Sequence, residues 1–134
     1  MKNRRKFLHN ILGFSGAIAL PGTLFAKREK KVIDGSFVHM VFFWLKPETD
    51  VDAFISSTKN FITGINEVVD FHLGKPAGTP REVVDNTYSV CLVVTFNSKE
   101  DQDIYQKHPV HVKYVDDNKE KWTKVQIYDS WAGA

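Results

Sequence analysis

Cysteine is all but missing from this chain. Its 134 residues hold one, Cys91, so no internal disulfide can form and the fold must rest on a packed core. Long apolar runs are missing as well. The main one, Ile11–Leu20, has ten residues, half of the roughly 20 that a bilayer-spanning helix requires, which argues against a stable membrane anchor. Nor is there an excess of basic charge in the body of the chain. Four of the 18 Lys and Arg residues fall within the first 26 positions, where there is no acid; the rest of the chain then carries 14 against 16 Asp and Glu, a net of −2. A nucleic-acid-binding domain concentrates Lys and Arg on one face, so binding to DNA or RNA is not expected. Internal repeats and low-complexity tracts are absent too. What remains suits one folded domain: 43% apolar and 25% charged residues, with ten Phe, four Tyr and three Trp to build a core.

The first 26 residues read as an address. Lys2, Arg4, Arg5 and Lys6 precede the apolar run, and Pro21–Ala26 ends in a small residue before the polar Lys27–Lys31, the order of a secretory signal. Arg4-Arg5-Lys6-Phe7-Leu8 resembles the twin-arginine export motif, with a general secretory signal that holds two arginines as the other reading. Cleavage is expected after Ala26. The expected organisation is a signal over 1–26, a short linker over 27–36 and one domain over 37–134, in an exported, periplasmic protein.

Strand and helix signals alternate after that. Phe37–Leu45 is dense in β-branched and aromatic residues and ends at Lys46-Pro47, which predicts a strand. Thr49 with Asp52 resembles a capping box, and Phe54, Thr58, Phe61 and Ile65 follow at helical spacing until Gly64 and Asn66. Val69, Phe71 and Leu73 alternate with Asp70 and His72, a half-buried strand that stops at Gly74. Lys75–Asn86, with two Pro and a Gly, predicts a long loop. Tyr88–Phe96 is the second strong strand. Ser98 and Asp101 open a second helix that Pro109 bends or divides, and Val125, Ile127, Asp129 and Trp131 close the chain as a strand. The order β-α-β-β-α-β predicts an α+β fold, the split βαβ arrangement on four antiparallel strands.

Both faces of that sheet are apolar. His39, Val41, Phe43 and Leu45 alternate with Val38, Met40, Phe42 and Trp44, while Tyr88, Val90, Leu92, Val94 and Phe96 alternate with Ser89, Cys91, Val93 and Thr95. Two helices can cover one face only. Leaving Val38, Met40, Phe42, Trp44 and Val93 wet would forgo on the order of 10 kcal/mol. A patch of that kind marks a contact site, and the simplest cover is the same face of a second copy, a homodimer with sheet against sheet.

Four segments carry a family resemblance: His39-Met-Val-Phe-Phe-Trp-Leu-Lys, Leu73-Gly74-Lys75, Val94-Thr95-Phe96-Asn97-Ser98 and Tyr105-Gln106-Lys107-His108-Pro109-Val110-His111. Together they resemble the stress-responsive dimeric α/β-barrel family, Dabb, over roughly Phe37 to Trp131, the last segment being the most specific. The resemblance implies a ferredoxin-like monomer that pairs through its sheet into a barrel. It also implies a pocket between helices and sheet, which plant polyketide cyclases of the family use for an aldol ring closure. Carried across, the catalytic Tyr and His fall on Tyr105 and His111, and the pocket residues on His39, Val41, Phe43, Phe54 and Leu92. A second pocket tyrosine on the first helix is replaced by Thr58, so the cyclase substrate does not carry over. Some plant relatives hold magnesium on main-chain carbonyls after the first helix; the matching positions are Ile62, Ile65 and Val68, a possible structural magnesium with no other cofactor required.

The chemistry suits these residue types. A histidine near its unperturbed pKa takes a proton from carbon beside a carbonyl, and a phenol donates to the oxygen where enolate charge develops. Each residue has a plainer reading beside that one. His111 can hold the bent helix through a backbone carbonyl, His108 can fix the break before Pro109, and Tyr105, Tyr114 and Trp122 can pack as core. His108 and His111 lack the further ligands zinc needs. His72 faces the polar side of its strand, and Cys91 packs on the dimer face. Three functions stay open: a dimer that binds a small, partly apolar ligand; a lyase, cyclase or cofactor-free monooxygenase using His/Tyr acid–base catalysis; and a structural dimer filled by Phe43, Phe54, Phe61 and Phe96.

Overall fold

A computed structural model describes Lys30 and residues 32–132; the export signal expected over 1–26 lies outside the described residues. The chain runs β1 (Phe37–Leu45), α1 (Val51–Ile62), β2 (Phe71–Gly74), β3 (Val90–Phe96), α2 (Lys99–Lys107), α3 (Pro109–Asn118), a 3-10 turn at Lys119–Lys121, and β4 (Trp122–Trp131). The four strands form one antiparallel sheet in the order β2-β3-β1-β4, the split β-α-β-β-α-β ferredoxin-like topology.

Local chemistry sets the ends of these elements. Asp50, not Thr49, caps α1: its carboxylate accepts from Asp52 N at 2.9 Å and Ala53 N at 3.0 Å, a bond worth about 1 kcal/mol. The Thr49 hydroxyl instead donates to Lys121 O, at the end of the 3-10 turn that precedes β4. Ser98 caps α2 as expected, accepting from Asp101 N at 3.0 Å. Pro109 divides the second helical stretch in two. His108 is the joint, with extended backbone (φ −61°, ψ 131°), and Pro109 takes the first turn of α3, where no amide hydrogen is needed. The strands differ from expectation at their margins. β2 begins at Phe71, although Val69 N still donates to Thr95 O, and β4 begins at Trp122 rather than Val125.

Register decides which residues share a face. His39 lies opposite Asp129 and Val94, Val41 opposite Ile127 and Leu92, and Phe43 opposite Val125 and Val90. On this helix-covered face Val90, Leu92, Val94 and Phe96 are at most 1% exposed. The other face carries Val38, Met40, Phe42, Trp44, Cys91 and Val93, all half-buried. Tyr88, expected beside Val90, falls outside β3 and turns to this second face, edge-on to Phe42 at 5.0 Å and to Trp44 at 6.5 Å. Lys124 Nζ sits 4.2 Å above the Trp44 ring. Beside this face, Gly35 has a φ of +97°, and a Cβ added there would come within 2.9 Å of Phe96 O, so no side chain fits.

Candidate functional site

A cavity of about 370 Å³ lies between the helices and the covered face of the sheet. β1 supplies one wall through His39, Val41 and Phe43, alternate residues that span roughly 13 Å of strand. Leu92 joins from β3, Val125 and Ile127 from β4, and Tyr105, His111 and Tyr114 from the two-part helix. The lining has two ends. His39, Tyr105 and His111 gather at one: the Tyr105 ring centre is 4.5 Å from that of His111 and 5.9 Å from that of His39. Aromatic rings form the other, with Phe43 5.4 Å from Trp122; Phe61, stacked on Tyr114 at 4.0 Å and 5.8 Å from His111, joins the two.

Hydrogen bonds fix how the polar end presents itself. His39 is buried, and its Nδ1 lies 2.6 Å from Oδ1 of Asp129 on the neighbouring strand. A carboxylate accepts, so Nδ1 holds the bridging proton and Nε2, in the neutral ring, is the acceptor. His111 repeats the pattern with Nδ1 3.2 Å from the Gln106 carbonyl, which can only accept. Burial lowers the His111 pKa below its ordinary 6.5, the Gln106 bond opposing, with His39 and His108 lowering it further. His111 is therefore neutral at pH 7 with an unprotonated Nε2. Burial raises the Tyr105 pKa, with a smaller contribution from Tyr114, so Tyr105 remains a phenol. Among the described residues its hydroxyl has no hydrogen-bond partner, and no fully enclosed polar side-chain atom is left unpaired, so that oxygen meets the open cavity. The His111 Nε2 acceptor and the Tyr105 phenolic donor, side by side in a mostly apolar chamber, are a pair that acid–base chemistry can use.

Of the residues singled out in the sequence, His39, Val41, Phe43, Leu92, Tyr105 and His111 come together on the cavity wall. Phe54 does not; it is buried behind Phe43, with ring centres 5.2 Å apart. Thr58 is fully buried and also off the wall. It donates to Phe54 O at 2.8 Å and lies 2.7 Å from the Tyr114 hydroxyl. His108 serves α3, its Nδ1 accepting from Val110 N at 3.2 Å. Ile62 and Ile65 each already give their carbonyl to a backbone amide at 3.3 Å, from Ile65 and Val68 respectively. Neutral carbonyls already so engaged, with no carboxylate in the set, fit magnesium poorly, and no step is drawn through such an ion. Among the described residues no group of three or more His, Cys, Asp and Glu is placed to hold a metal. Sequence reasoning passed over Asp129, Gln106 and the wall position of Tyr114. Asp129 left a signal: it is a carboxylate in the apolar phase of an otherwise alternating strand.

The chain was compared with known proteins. A family profile described as Stress responsive A/B Barrel Domain matches residues 37–132. No curated protein matches. Among solved structures, a protein from Arabidopsis thaliana is similar with 24% identity and a TM-score of 0.63, over 73% of this chain and 96% of that one. A dimeric protein of unknown function with a ferredoxin-like fold from Bacteroides fragilis gives 18% and 0.57, over 71% and 94%. The hydroxynitrile lyase of Passiflora edulis gives 17% and 0.64, over 72% and 93%. At these identities the solved structures speak for the fold alone. Among the described residues no helix is long and apolar enough to cross a membrane.

Proposed function

The chain belongs to the Stress responsive A/B Barrel Domain family, and from that premise we propose that it is an exported homodimer that binds a small, partly apolar molecule in the cavity between helices and sheet. The observation that carries this reading is the two-ended lining. A polar head that both donates and accepts hydrogen bonds satisfies the imidazoles of His39 and His111 and the hydroxyl of Tyr105, while an apolar tail lies along Val41 and Phe43 toward Trp122. The copy-on-copy contact uses the outer sheet face, which the helices do not cover. A signal over 1–26, a linker over 27–36 and periplasmic residence complete the proposal; N-terminal sequencing of periplasmic protein should begin at Lys27. No organic cofactor is required for binding.

A second reading, an enzyme in the same cavity, draws support from the Asp129–His39 bond and the lowered pKa of His111. His111 Nε2 takes a proton from carbon or oxygen of the ligand, and the Tyr105 hydroxyl donates to the oxygen on which charge develops. Lyase, cyclase and cofactor-free monooxygenase chemistry all begin with such a step. Native mass spectrometry of the purified protein should capture a bound small molecule. Turnover of that compound should then fall by about 10²-fold or more in His111→Ala. Unchanged turnover in this variant removes His111 as the base and leaves the binding function alone.

A further inference from the structure

Tyr114 is the one cavity-wall phenol whose oxygen the polar end does not use. Its ring lies against Phe61 at 4.0 Å with planes 23° apart, and faces Phe54 at 6.3 Å. Its hydroxyl is 2.7 Å from Thr58 Oγ1, and Thr58 spends its single hydroxyl hydrogen on Phe54 O. Both contacts are satisfied together when Tyr114 donates to Thr58. Burial holds the Tyr114 pKa up at about 12, with the Thr58 bond acting in the opposite direction, so the donor is present throughout the physiological range. Thr58 itself is fully buried and does not touch the cavity.

We propose that Thr58 and Tyr114 form a polarity lock: Thr58 withdraws the only phenol at the aromatic end, so Tyr114 shows the cavity ring carbon and makes that end select apolar over polar ligand tails. Tyr114 is the specificity-determining residue and Thr58 a positioning residue that acts through it. The inference rests on the small-ligand reading above and deepens it, since it states what the far end of the ligand must lack. A carbonyl brought against Phe43 and the Tyr114 ring finds no hydroxyl there, whereas a phenol released from Thr58 would supply one.

Two probes of equal length test the lock: 2-nonanone, with one carbonyl for Tyr105, and 2,8-nonanedione, with a second carbonyl at its tail. Dissociation constants from ligand-observed NMR should favour the monoketone by about tenfold or more in the native chain. In Thr58→Val, which keeps the shape and removes the acceptor, the preference should shrink below about threefold or reverse as the orphaned phenol turns to the dione. Thr58→Ser should keep the native ratio, and Thr58→Val/Tyr114→Phe should restore it. A ratio unmoved in Thr58→Val, or not restored in the double variant, overturns the proposal. Should Thr58→Val fail to fold, Thr58→Ala takes its place with the same expected ratio. A slowly exchanging Tyr114 hydroxyl proton, seen by NMR in the native chain and lost in either variant, reads the bond without any ligand, and its absence from the native chain overturns the proposal too. If neither ketone binds, the small-ligand reading falls and takes the lock with it; binding with an unchanged ratio sinks the lock alone.

Discussion

The two faces of one sheet, built from the same strands, end in different conditions. On the helix-covered side, Val90, Leu92, Val94 and Phe96 are at most 1% exposed, and the lone buried imidazole of that face has a carboxylate partner. On the other side, Val38, Met40, Phe42, Trp44, Cys91 and Val93 stay half-buried, with Tyr88 edge-on to Phe42 and the Lys124 ammonium over Trp44. Side-chain hydrophobicity hardly distinguishes the faces; cover does. Helices with side chains of mixed size leave a chamber, where polar groups can be placed and desolvated. The uncovered face carries a hollow too, about 360 Å³ beside Phe42, Trp44, Tyr88 and Tyr128, but no histidine lines it, and its half-buried apolar surface suits another sheet.

The largest expected effect follows from putting a charge on the uncovered side. Phe42→Asp should turn a dimer into a monomer in size-exclusion chromatography with light scattering, weakening association by about 10³-fold. A native chain already monomeric at micromolar concentration would break the comparison outright. Next come two neighbours that point opposite ways. Leu92→Ala should lose about 3 kcal/mol in urea unfolding whatever the protein concentration, because it empties packed core. The loss in Val93→Ala should instead grow as protein concentration rises, because it weakens a contact between copies.

Acid should act on the covered side. His111 has its pKa lowered in the fold, so its contribution to stability is fully present above about 6.5, the ordinary value for the unfolded chain, and is lost as pH falls through the lower folded value. Melting temperature should fall over that window, and less so in His111→Gln. Ligand binding through Nε2 should weaken over the same range. The smallest effect belongs to neither face. Lys113→Ala removes an exposed i,i+4 pair with Asp117 and should cost at most about 0.5 kcal/mol, setting the scale against which the other changes are read.

Much of the fold was legible because it is local. Alternation placed β1 at Phe37–Leu45, and Ser98 and Pro109 marked the second helical stretch and its division. The neighbouring residue, Asp50, took the first cap because its carboxylate reaches two amides while Thr49 is drawn to Lys121 O. Tyr88 took the unexpected face because alternation holds only inside a strand, and β3 starts two residues later. The site was legible where the resemblance named its residues. Asp129 was not, since its partnership with His39 spans 90 positions and exists only through the register of β4 on β1. The Thr58–Tyr114 bond depends in the same way on how α3 crosses α1, which no short-range pattern encodes.

Tyr105 rides on α2 and His111 on α3, and the chain turns between the two rods at His108, with the bond from His111 to the Gln106 carbonyl as a second tie. A change of angle at that joint would re-space the two rings while the strands stay still.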